Sequence, residues 1–401
     1  MNEVHAARGQ LFSILIGDAG DEHENGPMGG VPWFWRSIFE VADCWRVLPA
    51  LRRRIAELGL KPSAAESAEL AARCRAAFVS SASVCAAGAR IGAYLERSGI
   101  PYVLFKGIAA IAQIYGGPAE RTTVDADILI RERDLSTAIQ ALGEIGVRPS
   151  DGGDLAAYIR SIRNMPGFAG NEAIELMGGT FQRLDLHWSL GTDPDSEMAA
   201  GEIIARGIRR NILGSEVCVL SPVDGFILGA HHAVRNNFAP DRMVRDVLDA
   251  VRWLDLLRRE GLVGEVITRA KSCRLGPAVF GLGTLAGCEA GIAELSCPDG
   301  FDLVELFHLQ LEQPLGNDLA SLFDARAIAS VARGVLGNSR EYRKYLSQFD
   351  MAQAGKARPI KSRIAAVFAT LRALRRNRGK AYRALRTLAR VKAAYQRAGT
   401  R

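Results

Sequence analysis

Two aspartates stand out in residues 124–130, where Asp125 and Asp127 interrupt an apolar run that is typical of a buried strand. Side chains two positions apart in a strand point to the same face, so both carboxylates are expected to project side by side. Carboxylates this close repel each other unless a cation lies between them. A hard divalent ion such as Mg2+ suits the arrangement, because it takes one or two carboxylates and leaves room for phosphate oxygens.

A lysine and a glycine precede this strand at a point that suits phosphate. Lys106 and Gly107 lie where a predicted strand, 102–105, meets a predicted helix, 108–115. Backbone donors at a helix N-terminus bind anions, and a neighbouring lysine adds a positive charge. Phosphate binding is therefore the prediction, and a solvated lysine at the end of a strand is the alternative.

Arg121 lies four residues before Asp125 and has two interpretations. Its guanidinium can clamp a phosphate through two parallel hydrogen bonds. Alternatively, it braces the loop by pairing with Asp125 or Glu120. The sequence leaves both interpretations open.

A further polar set lies in residues 180–190, which alternate in the manner of a strand. Arg183, Asp185 and His187 share one face of this strand, and the opposite face is apolar and can pack on the core. The polar face is therefore expected to lie with the two earlier aspartates. His187 is predicted to orient Asp185, with substrate contact or a general-base role as alternatives.

Two lesser candidates lie on predicted helices further along the chain. His231 and His232 cannot both face one metal, because adjacent helical residues diverge by about 100°. One is expected to point at the cleft, and His231 is kept as a candidate for orienting or binding substrate. Asp246 is predicted either to brace the active-site face through an arginine or to form an ordinary surface salt bridge.

These residues, in this order, resemble the nucleotidyltransferase superfamily with the polymerase-beta-like fold. Its hallmark is a strand, a glycine turn that opens a helix, and a strand that carries Asp-x-Asp. The chain is most similar to the bacterial uncharacterised nucleotidyltransferase family, over about residues 95–260. The matching motifs are Phe105-Lys106-Gly107, Arg121, Asp125-Ala126-Asp127 and Asp185-Leu186-His187-Trp188. At the turn, Gly-Ser is usual in the wider superfamily and Lys-Gly stands here, so Lys106 would carry more of the phosphate contact.

The resemblance implies an enzyme that moves an NMP unit from an NTP to an acceptor and releases pyrophosphate. It implies that Asp125 and Asp127 hold two Mg2+ ions, with Mn2+ as an alternative, and that Asp185 completes the second metal site. The acceptor stays open among small molecules, peptides or proteins, including peptide natural products, and RNA or tRNA. A catalytically idle binding partner of the same fold is the alternative from another class.

The surrounding sequence predicts an α+β fold in which a small mixed sheet carries the site. Residues 1–98 are predicted to be an N-terminal helical region and residues 99–220 the catalytic core. Residues 221–350 are predicted to be a C-terminal helical domain, and residues 351–401 a basic helical tail.

Charge is unevenly distributed along the 401-residue chain, whose formal net charge is +7. Of the 51 basic residues, 15 lie in residues 351–401, which contain no Asp or Glu. This leaves 36 basic against 44 acidic residues elsewhere, a net charge of −8. The tail is therefore predicted to dock on the acidic body, to bind nucleic acid or to bind an anionic membrane surface.

The cysteines and the hydropathy pattern bear on the compartment. Seven scattered cysteines without a C-x-x-C pair predict free thiols in a reducing cytosol. The polar N-terminus lacks the features of a signal peptide, and no uncharged apolar stretch of about 18 residues is found. We therefore expect a cytoplasmic protein without a membrane span, while the oligomeric state stays open.

Overall fold

The computed structural model describes residues 3–16, 33–149, 173–178, 181–190, 198–235, 240–273 and 275–296, together with residues 304, 307 and 308. Several predictions lie outside these residues. They concern the basic tail at 351–401 and the part of the C-terminal helical domain that follows residue 308.

A mixed sheet of seven described strands carries the fold. The strands are β1 (Tyr102–Phe105), β2 (Ala126–Ile130), β3 (Arg148–Pro149), β4 (Ala173–Gly178), β5 (Phe181–His187), β6 (Ile208–Ile212) and β7 (Ser215–Val219). Their order across the sheet is β3-β4-β5-β2-β1-β7-β6. The central strands β1 and β2 are antiparallel to each other, and their outer neighbours β7 and β5 run parallel to them. All residues of β1 and β2 are buried, as their apolar runs predict.

Helices lie before, within and after the sheet, which confirms the predicted α+β class. Those before it are α1 (Glu3–Ile16), α2 (Trp35–Cys44), α3 (Leu48–Glu57) and α4 (Ala64–Arg97). Those between strands are α5 (Lys106–Ile114), α6 (Leu135–Glu144) and α7 (Ala200–Ala205). Those after it are α8 (Pro222–Arg235), α9 (Pro240–Arg259), α10 (Val263–Ser272) and α11 (Gly276–Leu285). Short 3-10 turns occupy Glu132–Asp134 and Glu289–Leu295.

The long helix α4 is the main partner of the sheet. It begins with a capping box, in which Ser63 accepts from the backbone of Glu66 and the Glu66 side chain accepts from the backbone of Ser63. Gly92 allows the ring of Tyr102 to approach, because a Cβ at this position would overlap that ring. Among the described helices, α4 alone is long and apolar enough to cross a membrane by length and composition. Here it packs against β1, β2, β5 and β7, so its apolar residues serve the core.

Hydrophobic residues at helical spacing predict one helical run over residues 33–58, whereas the structure divides this segment into α2 and α3. The break lies at Arg46, whose φ of 60° is in the left-handed region that residues other than glycine seldom adopt. Trp45 and Val47, on either side, are buried and hold the turn in place. Arg46 itself lines the cavity described below.

One continuous hydrophobic core joins all these layers. It extends from α1 through the sheet to α11 and to Phe307. Helix α5 packs against both α8 and α9, so the helices that follow the sheet form one wall of a cavity beside β1 and β2. This cavity is the setting of the candidate site.

Candidate functional site

The pairing of β2 with β5 brings two of the predicted carboxylates together. In this parallel pair, Asp127 lies opposite Asp185, and Leu129 lies opposite His187. Residues that are opposite in register point to the same face of a sheet, and His187 follows Asp185 by two positions on that face. Ligand atoms of Asp127, Asp185 and His187 all lie within 4.8 Å of one another.

Asp127 is the buried centre of this group, with a relative exposure of 1%. Its Oδ1 atom lies 2.5 Å from Lys106 Nζ and 3.1 Å from His187 Nε2. Burial opposes ionisation, but the Lys106 ammonium and the hydrogen bond with His187 outweigh it and hold the pKa of Asp127 well below its usual range. The repulsion between neighbouring carboxylates predicted a cation beside them, and in this structure the ammonium of Lys106 is that cation.

Asp185 carries the opposite shift. Burial raises the pKa of Asp185, and the neighbouring charges of Asp127 and Asp125 raise it further, while Arg183 partly offsets them. Arg183 Nε lies 3.4 Å from Asp185 Oδ1, and its Nη2 lies 3.3 Å from Glu175, on the neighbouring strand β4. The carboxylates therefore attract further positive charge. Two carboxylates and an imidazole within reach of one point fit a divalent cation.

Asp125 lies just outside this close group. Strand β2 begins at Ala126, two residues later than the predicted start, so Asp125 is in the preceding bend. Its backbone oxygen accepts a hydrogen bond from Thr123 Oγ1, and its side chain is half-buried on the wall of the cavity. Asp125 thus faces the same cavity as Asp127, and its role as a metal ligand stays a prediction.

The turn between β1 and α5 is strained at Lys106 and crowded at Gly107. Lys106 has a φ of 50°, a left-handed conformation that is costly for a residue with a Cβ. A Cβ at Gly107 would overlap Thr123 Oγ1 and lie 2.7 Å from Arg121 Nη1. Gly107 is therefore required by the close approach of the 121–123 loop, in addition to any contact with phosphate.

Arg121 is a buried brace between the sheet and α9. Its Nε lies 3.0 Å from both carboxylate oxygens of Asp249, and its Nη2 lies 2.7 Å from Oδ2. Tyr115 donates a further hydrogen bond to Asp249 at 2.8 Å. Burial works against the charged guanidinium, but Asp249 outweighs it and raises the pKa of Arg121. Of the two interpretations, this geometry is that of the brace, with Asp249 as the partner in place of Asp125 or Glu120.

The two adjacent histidines of α8 have different surroundings. His232 lines the cavity, and its Nδ1 lies 2.8 Å from Asp246 Oδ2. Burial opposes ionisation of Asp246, but His232 and then Arg245 lower its pKa. His231, the candidate from the sequence, is half-buried and is not among the residues that line the cavity. As predicted, one histidine of the pair faces the cleft, and it is His232.

The cavity lies between the carboxylates and the helices α8, α9 and α11. Lys106, Asp125 and Asp127 line the cavity together with apolar side chains from the helices and from the link before α8: Leu220, Phe226, Leu228, Ala250, Trp253 and Leu282. Arg46 and Arg245 also line it, and neither was a candidate from the sequence. Arg245 directly precedes Asp246, so a search for basic residues beside the acidic motif of α9 would have found it. Nothing in the sequence around Arg46 marks it.

Comparison with known proteins supports the resemblance. Residues 34–288 match the family described as "Uncharacterised nucleotidyltransferase", and this match covers more than half of the chain. The chain therefore belongs to that family, and family membership supports nucleotidyltransferase activity. The matched range begins before α2 and ends after α11, so it includes the helices on both sides of the sheet. No curated protein matches the chain.

Proposed function

We propose that this member of the uncharacterised nucleotidyltransferase family transfers an NMP unit from an NTP to an acceptor hydroxyl or phosphate, with a divalent metal held at Asp127 and Asp185. The observation that carries the proposal is the register of β2 and β5, which sets Asp127, on the wall of the cavity, side by side with Asp185. An isolated Asp-x-Asp on an exposed strand would not bring a distant third carboxylate to the same point.

The donor set indicates which residues would hold the metal. Asp127 and Asp185 offer carboxylate oxygens, His187 offers an imidazole nitrogen, and Asp125 lies on the same cavity wall. Mg2+ fits the carboxylates best and Mn2+ accepts the imidazole as well, so both ions belong to the proposal. When bound, such an ion neutralises charge on the phosphates and activates the acceptor oxygen.

Lys106 has two duties in this proposal. It neutralises Asp127 at a distance of 2.5 Å, and it lines the cavity at the first turn of α5. A lysine ammonium has three donors, so contact with a carboxylate leaves hydrogen-bonding capacity for a phosphate oxygen.

His187 is proposed to hold Asp127 in place. Its Nε2 lies 3.1 Å from Asp127 Oδ1, and its ring packs edge-on against Phe105 at 4.9 Å between centroids. The ring contact fixes the orientation of the imidazole, and the hydrogen bond fixes the carboxylate. The residue oriented by His187 is thus Asp127 in this structure, where the sequence had indicated Asp185.

The decisive experiment is a labelling assay with the Asp127→Asn variant. The four α-labelled NTPs are incubated with the protein, Mg2+ and cell extract, and the fraction that gains label is identified. We expect the variant to lose transfer by far more than tenfold, because a carboxamide is a poor metal ligand and is uncharged. Asp255→Asn, an exposed change on α9, is the matched control.

Two outcomes bear on the alternatives. Transfer by Asp127→Asn within about tenfold of the unmodified protein, or about 1.4 kcal/mol in barrier height, would contradict the assignment. Calorimetry distinguishes an idle homologue, because the proposal requires NTP binding that depends on Mg2+ and weakens in Asp127→Asn. The variant must retain its circular dichroism spectrum for either result to count.

A further inference from the structure

Two arginines also line the cavity. Arg46 comes from the turn between α2 and α3 and Arg245 comes from α9, so two distant parts of the chain bring their charges close enough to interact. Within the described ranges, neither arginine forms an ion pair. The Nε atom of Arg245 is buried and has no hydrogen-bond partner there. Buried donors are nearly always satisfied, so this one requires an explanation.

The acidic residues nearest to Arg245 are already engaged. Asp249 receives the fork of Arg121, and Asp246 receives His232. Burial lowers the pKa of Arg245 and the charge of Arg121 lowers it further, with a smaller contribution from Arg46, and together these outweigh the opposing charges of Asp246 and Asp249. The wall therefore carries more positive charge than its own carboxylates neutralise.

Backbone strain also concentrates at this cavity. Among the described residues other than glycine, positive φ angles occur at Arg46, Lys106 and Leu213. Leu213 lies in the tight turn between β6 and β7, just before Gly214, where such angles are ordinary. Arg46 and Lys106 both line the cavity and both carry a basic group. Strain of this kind persists where the surrounding structure imposes it, and it clusters at binding sites.

We propose that Arg46 and Arg245 bind a phosphate group of a substrate, forming a subsite that needs no metal and is separate from the carboxylates. Two guanidinium groups match the geometry of phosphate, which accepts parallel hydrogen bonds from each. The phosphate belongs either to the polyphosphate of the NTP or to a phosphorylated acceptor, and in both cases the inference rests on the proposed nucleotidyl transfer. A bound phosphate would offset the charge of the Arg245 guanidinium, which lines the cavity.

The test measures anion binding without metal. Inorganic phosphate and pyrophosphate are titrated by calorimetry into the full-length protein in EDTA, and the melting temperature is followed alongside. Arg245→Met and Arg46→Met are compared with Arg259→Met and Arg52→Met, which remove exposed arginines from the same helix α9 and from α3. We expect affinity to fall at least tenfold in the first pair and to change less than twofold in the second.

A stability measurement separates loss of binding from loss of folding. Without anion, Arg245→Met is expected to melt at a temperature equal to or above that of the unmodified protein, because it removes a buried charge without a partner. Arg46→Gly serves as the second variant at the turn, since glycine adopts the observed φ without strain. Both variants are therefore expected to be folded and deficient in binding.

The two sources of the phosphate are then distinguished by competition. If ATP or another NTP with Mg2+ displaces bound phosphate, the subsite holds the polyphosphate of the nucleotide. If phosphate and NTP bind together, the subsite holds a phosphate of the acceptor. The proposal is overturned if the unmodified protein binds neither anion in EDTA at millimolar concentration, or if the arginine variants bind them as the unmodified protein does.

The phosphate-binding measurement and the labelling assay can fail separately. Asp127→Asn removes the proposed metal ligand but leaves both arginines in place, so it should retain phosphate binding in EDTA. If the arginine variants lose phosphate binding while no labelled product is ever formed, the subsite stands and nucleotidyl transfer falls. If labelled product forms and the arginine variants bind phosphate normally, the opposite conclusion holds.

Discussion

Two buried aspartates in this fold have nearly the same exposure and very different partners. Asp224, at the start of α8, is fully buried, and both of its carboxylate oxygens accept hydrogen bonds. The donors are Arg206 at 3.0 and 3.1 Å, Arg269 at 2.8 Å and Ser221 at 2.8 Å. Asp127, on β2, receives Lys106 and His187 on one oxygen and has the carboxylate of Asp185 beside it. The Asp224 carboxylate is held by one bidentate guanidinium, a second guanidinium and a hydroxyl, whereas the Asp127 carboxylate is held by two groups that offer a single contact each.

The difference separates a structural role from a chemical one. Arg206 ends α7 and Arg269 lies on α10, so Asp224 ties the sheet region to the C-terminal helices through bonds that must all break together. Asp127 faces a cavity, and its partners are a lysine point charge and an imidazole. Buried carboxylates that keep coordination capacity beside a second carboxylate are suited to binding an ion.

The largest expected effect is on the structural member of the pair. Asp224→Asn should lower the free energy of unfolding by about 3–5 kcal/mol, because it removes the fully buried negative charge that pairs with both Arg206 and Arg269. Urea denaturation measures this loss, with the exposed change Asp255→Asn as the control. If Asp224→Asn were no more destabilising than Asp127→Asn, the distinction between the two sites would be wrong.

A smaller effect is expected on how the free energy of unfolding changes at low pH, through the ionisation of Asp127. Its folded pKa is lowered, so its ionised form stabilises the fold fully above the ordinary carboxyl pKa of about 3.9, and this contribution is lost as the pH falls through the folded pKa. In EDTA, the gap in unfolding free energy between the unmodified protein and Asp127→Asn should be constant from about pH 5 to 8. The gap in unfolding free energy should narrow below about pH 4. If the gap in unfolding free energy widened as the pH fell, the interaction of Lys106 with ionised Asp127 would not be stabilising.

The smallest effect concerns the strained turn that presents Lys106. Lys106→Ala and Lys106→Gly both lose the contact with Asp127, but only glycine adopts a φ of 50° without strain. Lys106→Gly should therefore be more stable than Lys106→Ala by about 1 kcal/mol, the reverse of the usual order in a helix. Both should show the same raised KM for the NTP. Equal stability of the two variants would remove the argument from strain.

Local patterns predicted the strands that carry the site because these depend on near neighbours. The apolar runs of β1 and β2 and the shared face of Asp185 and His187 follow from periodicity. The pattern also indicated that the polar face of β5 would meet Asp127. The parallel register confirms that these two carboxylates are opposite each other.

The brace and the arginine wall could not be predicted in the same way. Arg121 pairs with Asp249 at a separation of 128 residues, whereas the sequence offered only nearby partners. Arg46 lies in a run whose hydrophobic spacing predicts one helix, and its left-handed backbone depends on how Trp45 and Val47 are packed by distant segments. Tertiary packing determines both the Arg121–Asp249 pair and the turn at Arg46, and local helix propensity does not predict such packing.

The bond between Arg121 and Asp249 also restricts how a substrate can enter. It joins the floor of the cavity on the sheet side to the opposite helical wall, so a hinge motion that parted these walls would have to break a buried bidentate pair. At about 3–5 kcal/mol for such a pair, the parted state would hold below about one per cent of molecules. A ligand that enters through the mouth of the cavity does not break this ion pair. The cavity is then already in the shape that binds the ligand, so no binding free energy is spent on populating a rare conformation.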